Sequence, residues 1–459
     1  MRRWLAIVGL TWKAAFRFRL FWVMAALLMI AVVTLPILIE DDGSARGLAQ
    51  ILLTYTLSII TGLLGFVTLW LSCGTLARDI EEAQMQLVVV KPVGRWQIWL
   101  GKWTGILLLN AALLAIGGGT VFFLLKWRAG RLSAPEQQIL HNEIFAARAS
   151  MREPVPDVKT AAEKVLSDFK KTNALNSVEE QLFQKQIEEA LKAPYQLVDV
   201  DHFRRWEFDL GPKRYLLKDA PLFVRIKFHP AQTNISGLYR GVVQVGPPET
   251  TAVRVQSRSF AGDTFHEFAI PSNLWDANGK LTIDFQNRDQ TAILFPVEDG
   301  FELLYRDGGF GLNFIRGLLI ILCWLALLAA IGLAAASYLS FPVAAFFSIA
   351  VLIVGVSSST LSHAVESGTI GNVNHDTGKA DSKSLADLIM IPLFRNLLKV
   401  INLVQGFSPI DSLSSGRSIT WGMVGQAVGQ IVLILGGLFA IFGITVFTRR
   451  ELATAQINS

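Results

Sequence analysis

The stretch ARDIEEAQMQLVVVKPVGRWQIWLGKW, residues 77–103, lies between two strongly apolar runs, 51–73 and 103–125. Each run has the roughly 18 or more residues needed to cross a bilayer. A plain connection between two spans needs only a few polar residues, whereas this one carries a helical pattern. Coiled as a helix, it sets Leu76, Ile80, Ala83, Leu87 and Val90 on one face and Arg78, Glu81, Glu82 and Gln86 on another. Lys91 and Pro92 close that pattern, and Gly94-Arg95-Trp96 opens the next apolar run with a basic and aromatic anchor for the membrane interface. Two readings follow. The stretch is an amphipathic helix on the membrane surface that offers its charged side to a groove in a soluble partner, or it is a long solvated loop.

The rest of the chain agrees with a membrane setting. Of 459 residues 52% are hydrophobic and 17% charged, and the hydrophobicity falls in blocks. Those blocks predict about six transmembrane helices, near 20–39, 51–73, 103–125, 315–336, 341–362 and 423–447. A net charge of +5 gives no basic excess of the kind a nucleic-acid binder carries. Cys73 and Cys323 both fall in apolar runs and provide neither a disulfide framework nor a metal cluster. Residues 1–19 lack the pattern of a cleavable signal. They read as an interfacial helix with Arg2, Arg3, Lys13 and Arg17 on one arc and Trp4, Leu5, Val8, Trp12 and Phe16 opposite; the alternative is a basic flank of the first span.

Basic residues mark the cytoplasmic side of a membrane protein. Those of the N-terminus, of residues 77–103 and of Arg449-Arg450 predict that both termini and the 77–103 segment are cytoplasmic, in a multi-pass protein of the cell's inner (plasma) membrane. The insert 127–312 then lies outside. Its first part, 134–195, reads as helical, with Leu182, Phe183, Ile187 and Leu191 on one face after the capping-box pattern Ser177–Glu180. From 200 to 305 the period changes to two: Val224, Ile226 and Phe228 alternate with Arg225 and Lys227, and Leu281, Ile283 and Phe285 with Thr282 and Asp284. With turn signals at His229-Pro230, Gly262-Asp263 and Asn278-Gly279, about eight strands predict an antiparallel β-sandwich. Trp206, Tyr239 and Trp275 are either core residues or a sugar platform. The domains are therefore 1–126, the α+β insert 127–312, and 313–459, the last with a re-entrant or interfacial helix over 385–406 whose strongest segment starts at Pro392.

Several catalytic patterns fail. Gly371–Lys379 has six residues where a phosphate loop has four, and Ala380 follows where that loop has Ser or Thr. Gly355–Ser359 is not a nucleophile elbow, and the six histidines form no close pair. No acidic residue lies deep in a span, which argues against proton coupling. Gly425 and Gly429 make a spaced-glycine pair in the last span that predicts close helix packing, within the subunit or against a second one.

The pattern [RE]-x-I-E-x5-L-x3-K-P-[VI]-x-R-W-x-I, carried here by Arg78, Ile80, Glu81, Leu87, Lys91, Pro92, Arg95, Trp96 and Ile98, resembles the coupling segment of the permease subunits of type-2 ABC exporters. The order of elbow helix, paired spans and a broken helix before the last span is similar too, over roughly 1–126 and 310–450. The large outer insert departs from the compact form of that family. The resemblance implies a permease with no catalysis or cofactor of its own, ATP and magnesium being bound by a partner ATPase dimer. A second permease copy or paralogue completes the pathway. It assigns the coupling surface to Arg78, Ile80, Glu81, Glu82, Gln86, Lys91, Pro92, Arg95 and Trp96. Two other classes stay open: a force transmitter acting on an outer partner through the insert, and a membrane enzyme with its site in the sandwich.

Overall fold

The computed structural model describes residues 2–17, 19–39, 43–82, 85, 93–154, 157–171, 177–215, 217, 221–234, 236–247, 254–271, 273–297, 299–367 and 385–450. The chain divides into a helical unit, 1–145 with 309–459, and a second unit, Ala146–Gly308. The second unit is thus shorter at both ends than the 127–312 insert read from the sequence, because residues up to Phe145 pack with the helices.

The helical unit contains α1 (Arg2–Arg17), α2 (Arg19–Leu38), α3 (Ala45–Glu81), α4 (Arg95–Ala129) and α5 (Ala134–Ile139). After the second unit come α8 (Phe310–Tyr338), α9 (Phe341–Val356), α10 (Ser358–Ser367), α11 (Leu385–Gln405), α12 (Pro409–Ser414) and α13 (Trp421–Arg449). Four of these, α3, α4, α8 and α13, are long and apolar enough to cross a membrane. The expected first span is α2, bent 75° from α1. The expected fifth is the 16-residue α9, which stops at Val356 rather than at 362. The four long helices overrun their apolar blocks: α4 is 35 residues and α3 is 37.

Helix α8 is the axis of this unit. Of its apolar window 72% is buried, against 28% for α13. Small residues let its neighbours approach. A Cβ on Gly332 would overlap the Ser72 hydroxyl of α3, one on Gly317 would sit 2.7 Å from Leu413, and one on Gly118 of α4 would sit 2.8 Å from Leu318. Close backbone approach through glycine gives dispersion contact where lipid offers no hydrophobic gain. Helix α1 packs the same way on α4. Cβ atoms on Gly101 and Gly105 would lie 2.7 and 2.9 Å from Ile7 and Thr11, and Trp12 Nε1 donates to the Gly105 carbonyl at 2.9 Å. The packed face of α1 is therefore Ile7, Val8, Thr11 and Ala15, while Leu5 and Phe16 of the expected apolar arc are exposed.

Among the described residues no atom outside their own helix lies within 4 Å of a Cβ at Gly425 or Gly429, so the spaced pair makes no close packing there within the subunit. Pro392 sits inside α11 rather than at its start. A proline costs a helix one hydrogen bond and strains the preceding turn but need not end it.

The second unit holds α6 (Val158–Lys170), α7 (Ser177–Gln196) and strands β1 (Ala146–Met151), β2 (Leu197–Val198), β3 (Phe203–Asp209), β4 (Leu222–Ile226), β5 (His229–Pro230), β6 (Leu238–Val245), β7 (Arg254–Ala261), β8 (His266–Ile270), β9 (Lys280–Asn287), β10 (Ile293–Leu294) and β11 (Phe301–Gly309). The sheets run β1-β11-β4-β8, β2-β10-β5 and β3-β9-β6-β7. The pairs β3–β9, β9–β6, β6–β7, β4–β8, β4–β11, β10–β2 and β10–β5 are antiparallel. Two of the sequence readings are corrected. Residues 146–151 are a strand rather than helix, because pairing beside β11 and the buried Arg148–Glu267 ion pair outweigh local propensity. His229-Pro230 is not a turn but the edge strand β5, a position proline tolerates.

The alternation itself holds: Leu281, Ile283 and Phe285 point inward, and so do Val224, Ile226 and Phe228. Facing sheets meet where Trp206 of β3 stacks on Phe301 of β11, with ring centroids 4.0 Å apart. Trp206 and Tyr239 are both fully buried, so they are core and not a sugar platform. Buried Asn287 is satisfied on every side, donating to Val198 and Thr291 carbonyls at 3.1 and 2.9 Å and accepting from Asp289 N at 3.0 Å. Phe169 and Phe183 join α6 to α7 at 4.4 Å, with Ile187 and Leu191 on the expected face. Asp157 caps α6. Hydrogen bonds from the Thr160 side chain and backbone hold its carboxyl below the ordinary range.

Two outcomes test this description. In detergent, Gly332→Val lowers the unfolding midpoint, costing about 1–3 kcal/mol through overpacking, whereas Gly425→Val leaves it unchanged; equal shifts would contradict the packing. Residues 146–308 produced alone melt cooperatively, and Trp206→Ala removes about 3–5 kcal/mol of that stability, read by chemical unfolding.

Candidate functional site

The charged segment singled out by the sequence falls at one end of the helical bundle, where α3 ends and α4 begins. Helix α3 does not stop at the apolar boundary but continues through Arg78, Ile80 and Glu81, with Glu82 as its C-cap. The expected surface helix is to that extent the extension of a span, and Leu76 and Ala77 on it are buried. Gln86, Lys91 and Pro92 lie outside the described residues.

Three charged residues of the segment are tied to helix ends: Arg78 and Glu81 to the start of α9, and Arg95 to the end of α13. Glu81 Oε1 accepts from the Phe341 backbone N–H at 2.8 Å and so caps the start of α9. The Arg78 guanidinium lies 4.4 Å from the Phe341 ring centroid. That ring in turn meets Trp70 of α3 edge-on at 5.2 Å. Arg95 Nη1 donates to the carbonyls of Phe447, Thr448 and Arg450 at 2.9, 2.8 and 2.9 Å. A cation at these last carbonyls both satisfies them and complements the helix dipole. Arg450 Nη1 donates to the Ser337 carbonyl, 3.1 Å away, at the end of α8. Trp96 is 53% exposed and folds back over Gly94, where a Cβ would lie 2.9 Å from its Nε1. Gln97 Oε1 accepts from Gly94 N at 3.3 Å and finishes the start of α4.

A pair the sequence did not single out locks α3 to α4. Lys102 Nζ, 6% exposed, donates to Asp79 Oδ2 at 2.6 Å and to the Thr75 carbonyl at 2.7 Å. Lys102 directly precedes the apolar run 103–125 and so reads as a boundary charge; its burial is what demands a partner. Deeper in the bundle, Asn110 Nδ2 donates to Thr68 Oγ1 at 2.8 Å, a second polar tie between the same helices.

This end thus joins α3, α4, α8, α9 and α13 through hydrogen bonds and rings, with Trp96 and the charged edge of α3 facing out. Among the described residues no group of His, Cys, Asp and Glu is arranged to hold a metal. At the other end, Asn313 closes the bundle on the 417–419 turn, donating to Arg417 O at 2.8 Å and accepting from Ile419 N at 2.7 Å. In comparisons with family models, with curated proteins and with solved structures, nothing matches this chain.

The Asp79–Lys102 pair makes an asymmetric prediction. Removing one partner of a buried pair costs about 3–5 kcal/mol. Asp79→Ala strands an enclosed ammonium, while Lys102→Met leaves a carboxylate that is 29% exposed and can hydrate. Asp79→Ala is therefore the more damaging in thermal unfolding, and the double variant falls between wild type and Asp79→Ala. Equal losses would contradict this burial.

Proposed function

We propose that the chain is the membrane-spanning permease subunit of an ATP-driven exporter, coupled to a separate ATPase dimer through the segment from Arg78 to Trp96. The observation that carries this reading is the convergence of Arg78, Glu81, Arg95 and Lys102 on the ends of the other helices. A force applied at the exposed residues Glu81, Glu82 and Trp96 would reach α3, α4, α8, α9 and α13 through these contacts. Those are the parts that would have to shift together between closed and open pathways. A nucleotide-driven closure of the partner then changes the populations of those two states only as far as it binds one better than the other.

On this reading α2 and α9 with α10 complete six crossings, the two termini and the 77–103 segment are cytoplasmic, and the β-rich unit is external. Six crossings are half a pathway, so a second permease subunit completes it. Lys126, Arg128 and Arg131 at the far end of α4 oppose a simple charge rule. Positive charge beside a long translocated domain has less weight than charge in short loops.

The test is photo-crosslinking in cells from residues placed at Glu82 and Trp96, with Val255 of β7 as the comparison. Positions 82 and 96 capture a protein bearing a phosphate loop, G-x-x-x-x-G-K-[ST], and position 255 does not. Glu81→Lys combined with Glu82→Lys reduces capture from position 96 ten-fold or more, while Glu81→Ala, which removes only the α9 cap, reduces it less. No ATPase captured from either position excludes the reading.

A further inference from the structure

A cavity of about 540 Å³ opens on the side of the bundle between α8, α9 and α13, near the end that carries Arg95. Its floor is made of small residues, Ala334, Ala335 and Ala350, and its walls of rings, Phe346, Phe347 and Phe442. The small floor gives it depth, and the exposed rings leave its long side open. Tyr338, 70% exposed and the last residue of α8, brings a hydroxyl to an otherwise apolar wall. Beyond that end lie two cations. Arg450 is held at the Ser337 carbonyl, one residue from Tyr338, and this is its one side-chain hydrogen bond among the described residues. Exposed Arg449 follows Phe442 by two turns of α13, on the same stripe and about 10 Å further along.

We propose that this groove is a binding site for an anionic phospholipid, with an acyl chain between α8, α9 and α13 and the phosphate at Arg449, Arg450 and the Tyr338 hydroxyl. An apolar slot that ends in guanidinium groups fits the two halves of such a lipid, and basic pockets between membrane helices are known to take anionic headgroups. The same charges argue against a second copy of the chain. Two copies packed symmetrically through this face in one membrane would set Arg449 and Arg450 of one against those of the other. The inference needs only the membrane setting and does not depend on the exporter reading.

The test is native mass spectrometry of the full-length protein in micelles doped with phosphatidylglycerol or phosphatidylcholine of identical chains. Phosphatidylglycerol is retained at least ten-fold better. Arg449→Gln, which breaks no contact seen here, cuts that retention several-fold. Ala350→Trp, which fills the groove from a half-exposed position, cuts retention of both lipids. Equal retention of the two lipids would overturn the proposal, as would retention that Ala350→Trp leaves untouched. Disulfide crosslinking between two copies carrying Phe346→Cys would overturn it too, making the face a subunit interface.

Discussion

The close approach of α3 to α8 is the constraint on which the helical unit depends. Gly332 against Ser72, and Gly65 with Leu328 at 3.2 Å from its Cβ position, bring the two backbones together. Trp103 Nε1 then reaches the Ala326 carbonyl from α4 at 2.9 Å. Once α8 is enclosed, the polar groups at its two ends have few places to go. Asn313 at one end and Ser337 at the other are both buried; the Asn313 side chain bonds the 417–419 turn, and the Ser337 carbonyl accepts from Arg450. The packing of small residues therefore fixes where the hydrogen-bonding ends of the bundle must lie.

The basic end follows from the same geometry. Helices that stop together expose carbonyls or N–H groups together, and each exposed set must find a partner. The two N–H groups of Arg95 Nη1 are shared among three carbonyls at the end of α13, Glu81 supplies an acceptor to α9, and Arg450 supplies a donor to α8. Side chains that serve as caps between helices tie those helix ends to one another.

Much of this was legible in the sequence, and the failures have physical causes. Long apolar runs and period-two alternation are local signals, so α3, α4, α8 and α13 and the inward faces of β4 and β9 were readable. Strand β1 was not, because Ala146–Met151 owes its conformation to the neighbouring β11 rather than to its own pattern. The extent of α3 was missed because charge on Arg78 and Glu81 looks like the end of a span, although these residues continue its helix to reach α9. Arg95 and Glu81 were read as contacts for a partner, and in the structure they hold the bundle's own helix ends, a role that only the fold could reveal. The Asp79–Lys102 pair was hidden because its two members are distant in sequence and each looks like a boundary charge.

The central claim, that the end bearing Arg95 faces the cytoplasm while the β-rich unit does not, is tested most directly by thiol labelling of intact cells. Both native cysteines are buried, so they leave introduced thiols as the reactive groups. Cysteine in place of Asn278 reacts with a membrane-impermeant reagent, whereas cysteine in place of Glu82 reacts only after the membrane is opened. Labelling of position 82 in intact cells, or protection of position 278, would contradict the account.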